Sequence, residues 1–327
     1  MGFVGDLLYS QLFVTPPIPT QNLTNQVVII TGANRGLGLE AAKHCVRLGA
    51  EKVILAVRDT AKGEIAKSCI DATFPERKHV TDVWAVDMCS PRSIQAFADR
   101  LQTLERLDAI ILNAGMTVTA WVEVEDMEIT LMTNVIGPCL LMLLTLPKLR
   151  ETAVHQAVTP RISIVVSESH FVARFVEQES NRIMDALNTK SLADMDDRYA
   201  TTKLIQVFFA RELAHRIDGS EKPNVIVNYV TPGACRTDIH RDLGWSKKAS
   251  MGILKLVIGR TAEVGSRTLL GGILAGEESH GQYMADCKVA RPSSLVESRA
   301  GTQLQCRLWH EIMEKLAAIC PEIQKLL

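Results

Sequence analysis

The chain has 327 residues, 47% of them hydrophobic, with 36 Lys plus Arg against 37 Asp plus Glu and a formal net charge of -1. Such a composition buries a sizeable core and excludes a disordered or collagen-like chain. A balanced charge with 5% aromatic residues also speaks against nucleic-acid binding, which needs surplus cations for phosphates and rings on which bases stack.

The opening MGFVGDLLYSQLFV is apolar but has no basic segment before it, and Pro16-Pro17-Ile18-Pro19 follows where a small-residue cleavage site would stand. Residues 1–25 therefore read as a packed arm. From residue 27 short β-branched runs alternate with helix-length amphipathic stretches. Strands are predicted at 27–31, 53–57, 83–87, 109–112, 162–166 and 225–230. Helices are predicted at 37–48, 61–73, 91–104, 127–150 and 199–217. Gly49 stops the first helix and Pro91 starts the third. The apolar run 129–146 is broken by Asn134, Gly137 and Pro138, which suits a buried helix better than a bilayer span. Short, continuously apolar strands separated by helices predict an α/β fold: a single doubly wound (Rossmann) parallel sheet with helices on both faces, spanning 26–300.

Two stretches break the rhythm, 168–198 and 238–262, and connections of that length are commonly functional. Near the C-terminus, over 301–327, Leu304, Leu308, Ile312, Leu316, Cys320 and Ile323 keep helical spacing, a stripe expected to pack against the core. The eight cysteines form no C-x-x-C pair. They read as reduced thiols of a cytoplasmic protein, with no metal site and no disulfide scaffold.

The sharpest signal is Thr31-Gly32-Ala33-Asn34-Arg35-Gly36-Leu37-Gly38, where a strand turns into a helix. Gly32, Gly36 and Gly38 let the backbone approach a pyrophosphate, whose charge then meets free N–H groups, that of Leu37 included, at the positive helix end. An NAD site would place an acid at the end of the second strand; here Arg58 stands there, with Arg35 and Lys62 near it. Those cations suit a 2′-phosphate, and the expected cofactor is NADP(H). Asp87 is placed to accept from the adenine amino group, and Asn113 and Gly115 in NAG lie at the carboxyl end of the fourth strand, where such sheets bind ligands.

Tyr199-Ala200-Thr201-Thr202-Lys203 puts a phenol and an ammonium on one helix face, downstream of Ser167. A phenol is a poor proton donor or acceptor at neutral pH, and a neighbouring ammonium together with the positive nicotinamide ring of an oxidised cofactor is expected to lower its pKa. Ser167 can hold a carbonyl oxygen while Tyr199 supplies its proton. His170 reads as a loop histidine, and Asp194, Asp196 and Asp197 as a solvated or helix-starting cluster.

TGANRGLG (31–38), Asp87, NAG (113–115), Asn134 in TNVIG, Ser167, YATTK (199–203) and PGACRT (232–237) together resemble the short-chain dehydrogenase/reductase family, over about residues 26–275. The long gap from Ser167 to Tyr199 is similar to the retinol-dehydrogenase-like and fungal secondary-metabolite branch, and SQLFVTPPIPT and MDDRYATTK look like its fungal members. Leu112 and Val166 depart from common family residues without removing a catalytic group. The resemblance implies that Asn134 holds a water in a proton relay with Lys203, that Thr237 meets the nicotinamide carboxamide, and that two copies pair through the 127–150 helix. The expected function is ketone–alcohol interconversion on a lipophilic small molecule, with 168–198 and 238–262 closing its pocket. A non-catalytic NADP(H)-binding regulatory or scaffold protein on the same fold is the competing reading. The intact Ser167, Tyr199 and Lys203 set counts against it.

Overall fold

A computed structural model describes residues 3–236 and 259–327. Thr237, and residues 238–258 of the second predicted loop, lie outside the described residues. In chain order the elements are α1 (Phe3–Phe13), β1 (Val27–Thr31), α2 (Gly36–Arg47), β2 (Lys52–Val57), α3 (Thr60–Thr73), β3 (Thr81–Ala85), α4 (Pro91–Leu101), β4 (Ala109–Leu112), β5 (Glu123–Val124) and β6 (Met127–Glu128). A π-helical turn (Met132–Ile136) then enters α5 (Gly137–Gln156), followed by β7 (Arg161–Val165), α6 (Ile183–Leu187), α7 (Arg198–Asp218), β8 (Ile226–Thr231), α8 (Ala262–Leu274), β9 (Tyr283–Ala285), β10 (Lys288–Ala290) and α9 (Arg299–Ile319).

The main sheet has the order β10-β9-β8-β7-β4-β1-β2-β3, parallel throughout except for β10. β1 explains why its sequence is apolar at consecutive positions. Ile29 packs into the core on one face of the sheet, while Val28 and Ile30 pack into the core on the other. All three are fully buried, and each contributes about 1.5–3 kcal/mol through burial. α2 and α8 cover the second face, and α4, α5 and α7 the first. Strand order reverses between β1 and β4, both of which feed loops at their carboxyl ends, and this is where doubly wound sheets bind ligands.

Several expectations are corrected. The third strand ends at Ala85, so Asp87 lies two residues beyond it. The helix expected from residue 127 instead begins as a hairpin: Met127 and Glu128 pair antiparallel with β5 across Glu125 and Asp126, both at positive φ. The Glu128 carboxylate then accepts from the Thr130 and Leu131 N–H groups and starts the helix at Ile129, two residues later. Ile129–Gln156 is long and apolar enough to cross a membrane, but 89% of its most apolar window is buried inside the protein.

The 1–25 arm contains a helix. Its Ser10 hydroxyl donates to Asp286 at 2.7 Å, and Arg260 donates to the Ser10 and Val14 carbonyls. The C-terminal stripe packs inward, with Leu308, Ile312, Leu316 and Ile323 buried. Trp309 of α9 stacks on Phe209 of α7 at 4.9 Å, and buried Arg150 of α5 donates to the Leu326 carbonyl. The chain's own C-terminal segment thus covers α5, the helix through which the family resemblance implied pairing.

Candidate active site

The site is built first from backbone. Gly32 and Gly36 sit at φ of +66° and +57°, in the left-handed region that glycine adopts without strain. At Gly38 a Cβ would lie 2.7 Å from both the Gly32 carbonyl oxygen and the Asn113 Nδ2, so only glycine lets α2 approach its own entry loop. Arg35, the residue before α2, makes no side-chain cap to the helix. The first-turn N–H groups are therefore presented to whatever lies at the helix end.

Thr31 joins the two loops at the reversal point. Its hydroxyl accepts from the Asn113 and Ala114 N–H groups at 3.0 and 2.9 Å, and its carbonyl accepts from Asn113 Nδ2 at 2.9 Å. The Asn113 carboxamide is thus spent on shaping the glycine loop.

These loops enclose a cleft of about 380 Å³ lined by Gly32, Arg35, Gly36, Leu37, Arg58, Lys62, Asp87, Asn113 and Gly115, all residues singled out in the sequence. Gly38 lies behind the lining. Lys62 is less available than expected, because its ammonium pairs with Asp59 at 2.6 Å on the exposed rim. The Asp87 carboxylate accepts from the Cys89 N–H at 3.0 Å, and the Asp87 N–H donates to Ser93 Oγ at 2.9 Å. Sequence reasoning missed Arg236, Met116 and Thr133, which also line the cleft. Arg236 was legible only as a letter inside PGACRT.

The chemical corner is built from side chains. Ser167, just past β7, hydrogen-bonds to the Tyr199 phenol. Its carbonyl is held at 2.7 Å by His170 Nδ1, whose Nε2 accepts from the Ser293 N–H. Since Ser293 can only donate, the Nδ1 of His170 carries the proton. Burial pushes the His170 pKa down to about 4 and keeps the ring neutral. His170 is therefore a buried support of the serine. Asp197 is likewise no solvated residue: its carboxylate accepts from the Arg174 and Phe175 N–H groups and the Thr201 hydroxyl. Arg198 is fully buried between Glu128 and Glu177, at 3.5 and 3.7 Å, and donates to the Leu187 carbonyl at 2.7 Å. Together these contacts bolt the 168–198 stretch to the first turn of α7, where Tyr199 sits.

Lys203 follows one turn later. Its Nζ lies 5.8 Å from the Tyr199 ring centre and donates to the Val165 carbonyl at 2.8 Å and to Gln206 Oε1 at 2.9 Å. Asn134 sits in the π turn, a feature frequent at functional sites. Its side chain donates to the Met116 carbonyl and the Thr202 hydroxyl and accepts from the Met116 N–H. Gly115 connects cleft and corner: a Cβ there would lie 3.6 Å from Lys203 Nζ.

The protein's own groups do not by themselves lower the pKa of the phenol; the expected acidification counts on the positive ring of an oxidised cofactor as well as on Lys203. Burial pushes the Tyr199 pKa up to about 12, with only the Ser167 hydrogen bond opposing, and burial pushes Lys203 down to about 7. Desolvation outweighs the pairing because the ammonium has neutral acceptors only.

Residues 26–176 match the short chain dehydrogenase family. The chain is 40% identical to the short chain dehydrogenase/reductase dmxR8 of Cryptosporiopsis sp. over 99% of both chains. This chain belongs to the short-chain dehydrogenase/reductase family. Among solved structures it is similar to a 3-ketoacyl-(acyl-carrier-protein) reductase from Brucella melitensis complexed with NADH. There the TM-score is 0.59 and the identity 19%, over 81% of this chain and 97% of that one. It is also similar to a short-chain dehydrogenase from Sphingobium yanoikuyae in complex with NADPH, with TM-score 0.58, 20% identity, and 80% and 87% covered. At these identities the structures share the fold with this chain.

Proposed function

We propose that the protein is a cytoplasmic NADP(H)-dependent oxidoreductase that interconverts a ketone or aldehyde and an alcohol on a lipophilic small molecule, in secondary-metabolite biosynthesis. The observation that carries this reading is the Ser167–Tyr199 hydrogen bond beside Lys203, whose Nζ lies next to Gly115 of the cleft lining. The cleft fits a dinucleotide: uncapped N–H groups of α2 face it, and Gly32, Gly36 and Gly38 keep the approach open. Fold relatives hold either NADH or NADPH, so this chain's own residues decide, and Arg35 and Arg58 favour a 2′-phosphate. When bound, a reduced nicotinamide supplies the hydride that reaches the carbonyl carbon.

The chain's residues do the rest. Ser167 and Tyr199 hold the carbonyl oxygen between two hydroxyls. Tyr199, kept protonated by burial, gives its proton to that oxygen as charge develops there. Lys203, one turn after Tyr199 on the same helix face, returns a proton to the phenol.

The test is a panel of lipophilic ketones with NADPH, followed by loss of nicotinamide absorbance. In Tyr199→Phe, kcat is expected to fall by about 10²–10⁴ while NADPH still binds. A Tyr199→Phe protein that retains wild-type turnover would overturn the assignment.

A further inference from the structure

We infer that Gln206 is a positioning residue: its carboxamide clamps the Lys203 ammonium to the backbone of the π turn and so sets the direction in which that ammonium meets Tyr199. This rests on the reading of Lys203 and Tyr199 given above.

Gln206 lies one turn after Lys203 on the same face of α7 and is buried. Its Oε1 accepts from Lys203 Nζ at 2.9 Å, and its Nε2 donates to the Asn134 carbonyl. The chemistry permits no other orientation of the amide. Lysine can only donate and a carbonyl can only accept, so a flipped carboxamide would face a donor with a donor and an acceptor with an acceptor. The Val165 carbonyl takes a second N–H of Lys203, which leaves a single N–H for the phenol or a bound hydroxyl. The Asn134 carbonyl accepts from the glutamine amide, and Asn134 is the residue that the resemblance joins to Lys203 in a proton relay. A side chain thus makes the lysine-to-carbonyl link, and it is fixed at both ends.

The groups facing Lys203 are Tyr199 from its own helix, Val165 from the end of β7, Asn134 from the π turn and Gly115 from the loop after β4. Of these only Tyr199 titrates. The ammonium consequently depends on neutral oxygens to stay charged, and Gln206 supplies one of the two.

Two variants pull this in opposite directions. Gln206→Met keeps the length and removes the acceptor; Gln206→Glu keeps an acceptor and adds a negative charge. The titration of Lys203 is followed by NMR through its Cε resonance in the full-length protein, assigned against Lys203→Met. The midpoint is expected to fall by about half a pH unit or more in Gln206→Met and to rise by about one unit or more in Gln206→Glu. With NADPH and a turned-over ketone, kcat of Gln206→Met is expected to fall about tenfold or more. Its limb in the pH–rate profile should move with the NMR midpoint, and KM for NADPH should stay within about threefold. A general packing role would lower stability without moving either midpoint.

Unmoved midpoints in both variants overturn the clamp, whether or not the enzyme is active. If Gln206→Met does not fold, Gln206→Glu alone decides by the same criterion. Because the titration needs no turnover, a wild-type protein that reduces no ketone would sink the proposed function and leave this result standing on its own.

Discussion

The cleft and the chemical corner touch at Gly115 yet are made by opposite means. The cleft is backbone: glycines at positive φ, uncapped helix N–H groups, and one threonine hydroxyl joining two loops. The corner is a set of buried and half-buried polar side chains: histidine holds the serine's carbonyl, glutamine the lysine, and two glutamates the arginine. Backbone shapes a binding site for many ligands without needing particular side chains. A proton-transfer site needs groups of fixed type at fixed places, and polar groups kept out of water need partners. The difference predicts that damage to the corner shows first in folding and turnover, and damage to the cleft first in affinity.

The strongest test is Arg198. Replacing it with Met leaves Glu128 and Glu177 buried without their cation and is expected to cost about 3–5 kcal/mol of unfolding free energy, read from urea denaturation. A midpoint equal to wild type would mean that the corner is not held together by this group. Next comes the cleft. Arg58→Ala is expected to weaken NADPH about 10- to 100-fold, the worth of a charge-assisted hydrogen bond or two, with NADH binding unchanged in fluorescence titration. Lys62→Ala, whose charge Asp59 already answers at the solvent-exposed rim, should change NADPH binding by no more than about threefold. Equal losses from the two substitutions would show that the rim, rather than Arg58, reads the phosphate.

The smallest effect concerns Glu168, beside Ser167. Burial pushes its pKa from 4.5 up to about 7, with Asp286 adding to the rise and Arg260 opposing it. The folded protein therefore binds more protons than the unfolded chain between those values. The stabilisation from this group is full below about pH 4.5 and is lost as pH rises through about 7. In Glu168→Gln the decline of melting temperature across that window should flatten; an unchanged slope would mean that the carboxyl is solvated.

Much of the fold was readable because its signals are local. β1, β2 and β4 carry continuous apolar runs, and Gly49 ends α2 at a φ of +89°, a conformation that glycine adopts freely. The glycine loop was readable for the same reason. What escaped depends on contacts distant in sequence. β9 and β10 have three residues each, too few for a period, and form by pairing with β8 and with one another. The hairpin at β6 turns through Glu125 and Asp126, which lack the Asn-Gly or Asp-Gly signature of such turns. Within the corner, Ser167, Tyr199 and Lys203 could be named from their order along the chain. Gln206 could have been noticed from its i, i+3 spacing to Lys203, but its meaning comes from Asn134, 72 residues away. The lysine's depressed pKa was hidden too, because burial is a property of the whole fold.

Arg198 bears on where this enzyme tolerates substitution. It stands next to Tyr199 in the chain, while one of its partners, Glu177, belongs to the long connection between β7 and α7. That connection is thereby divided into pinned residues, Phe175, Glu177, Leu187 and Asp197, and outward-facing stretches around 178–182 and 188–192. Substitutions in the outward stretches are expected to leave the phenol undisturbed, whereas a change at a pinned residue is expected to shift the first turn of α7.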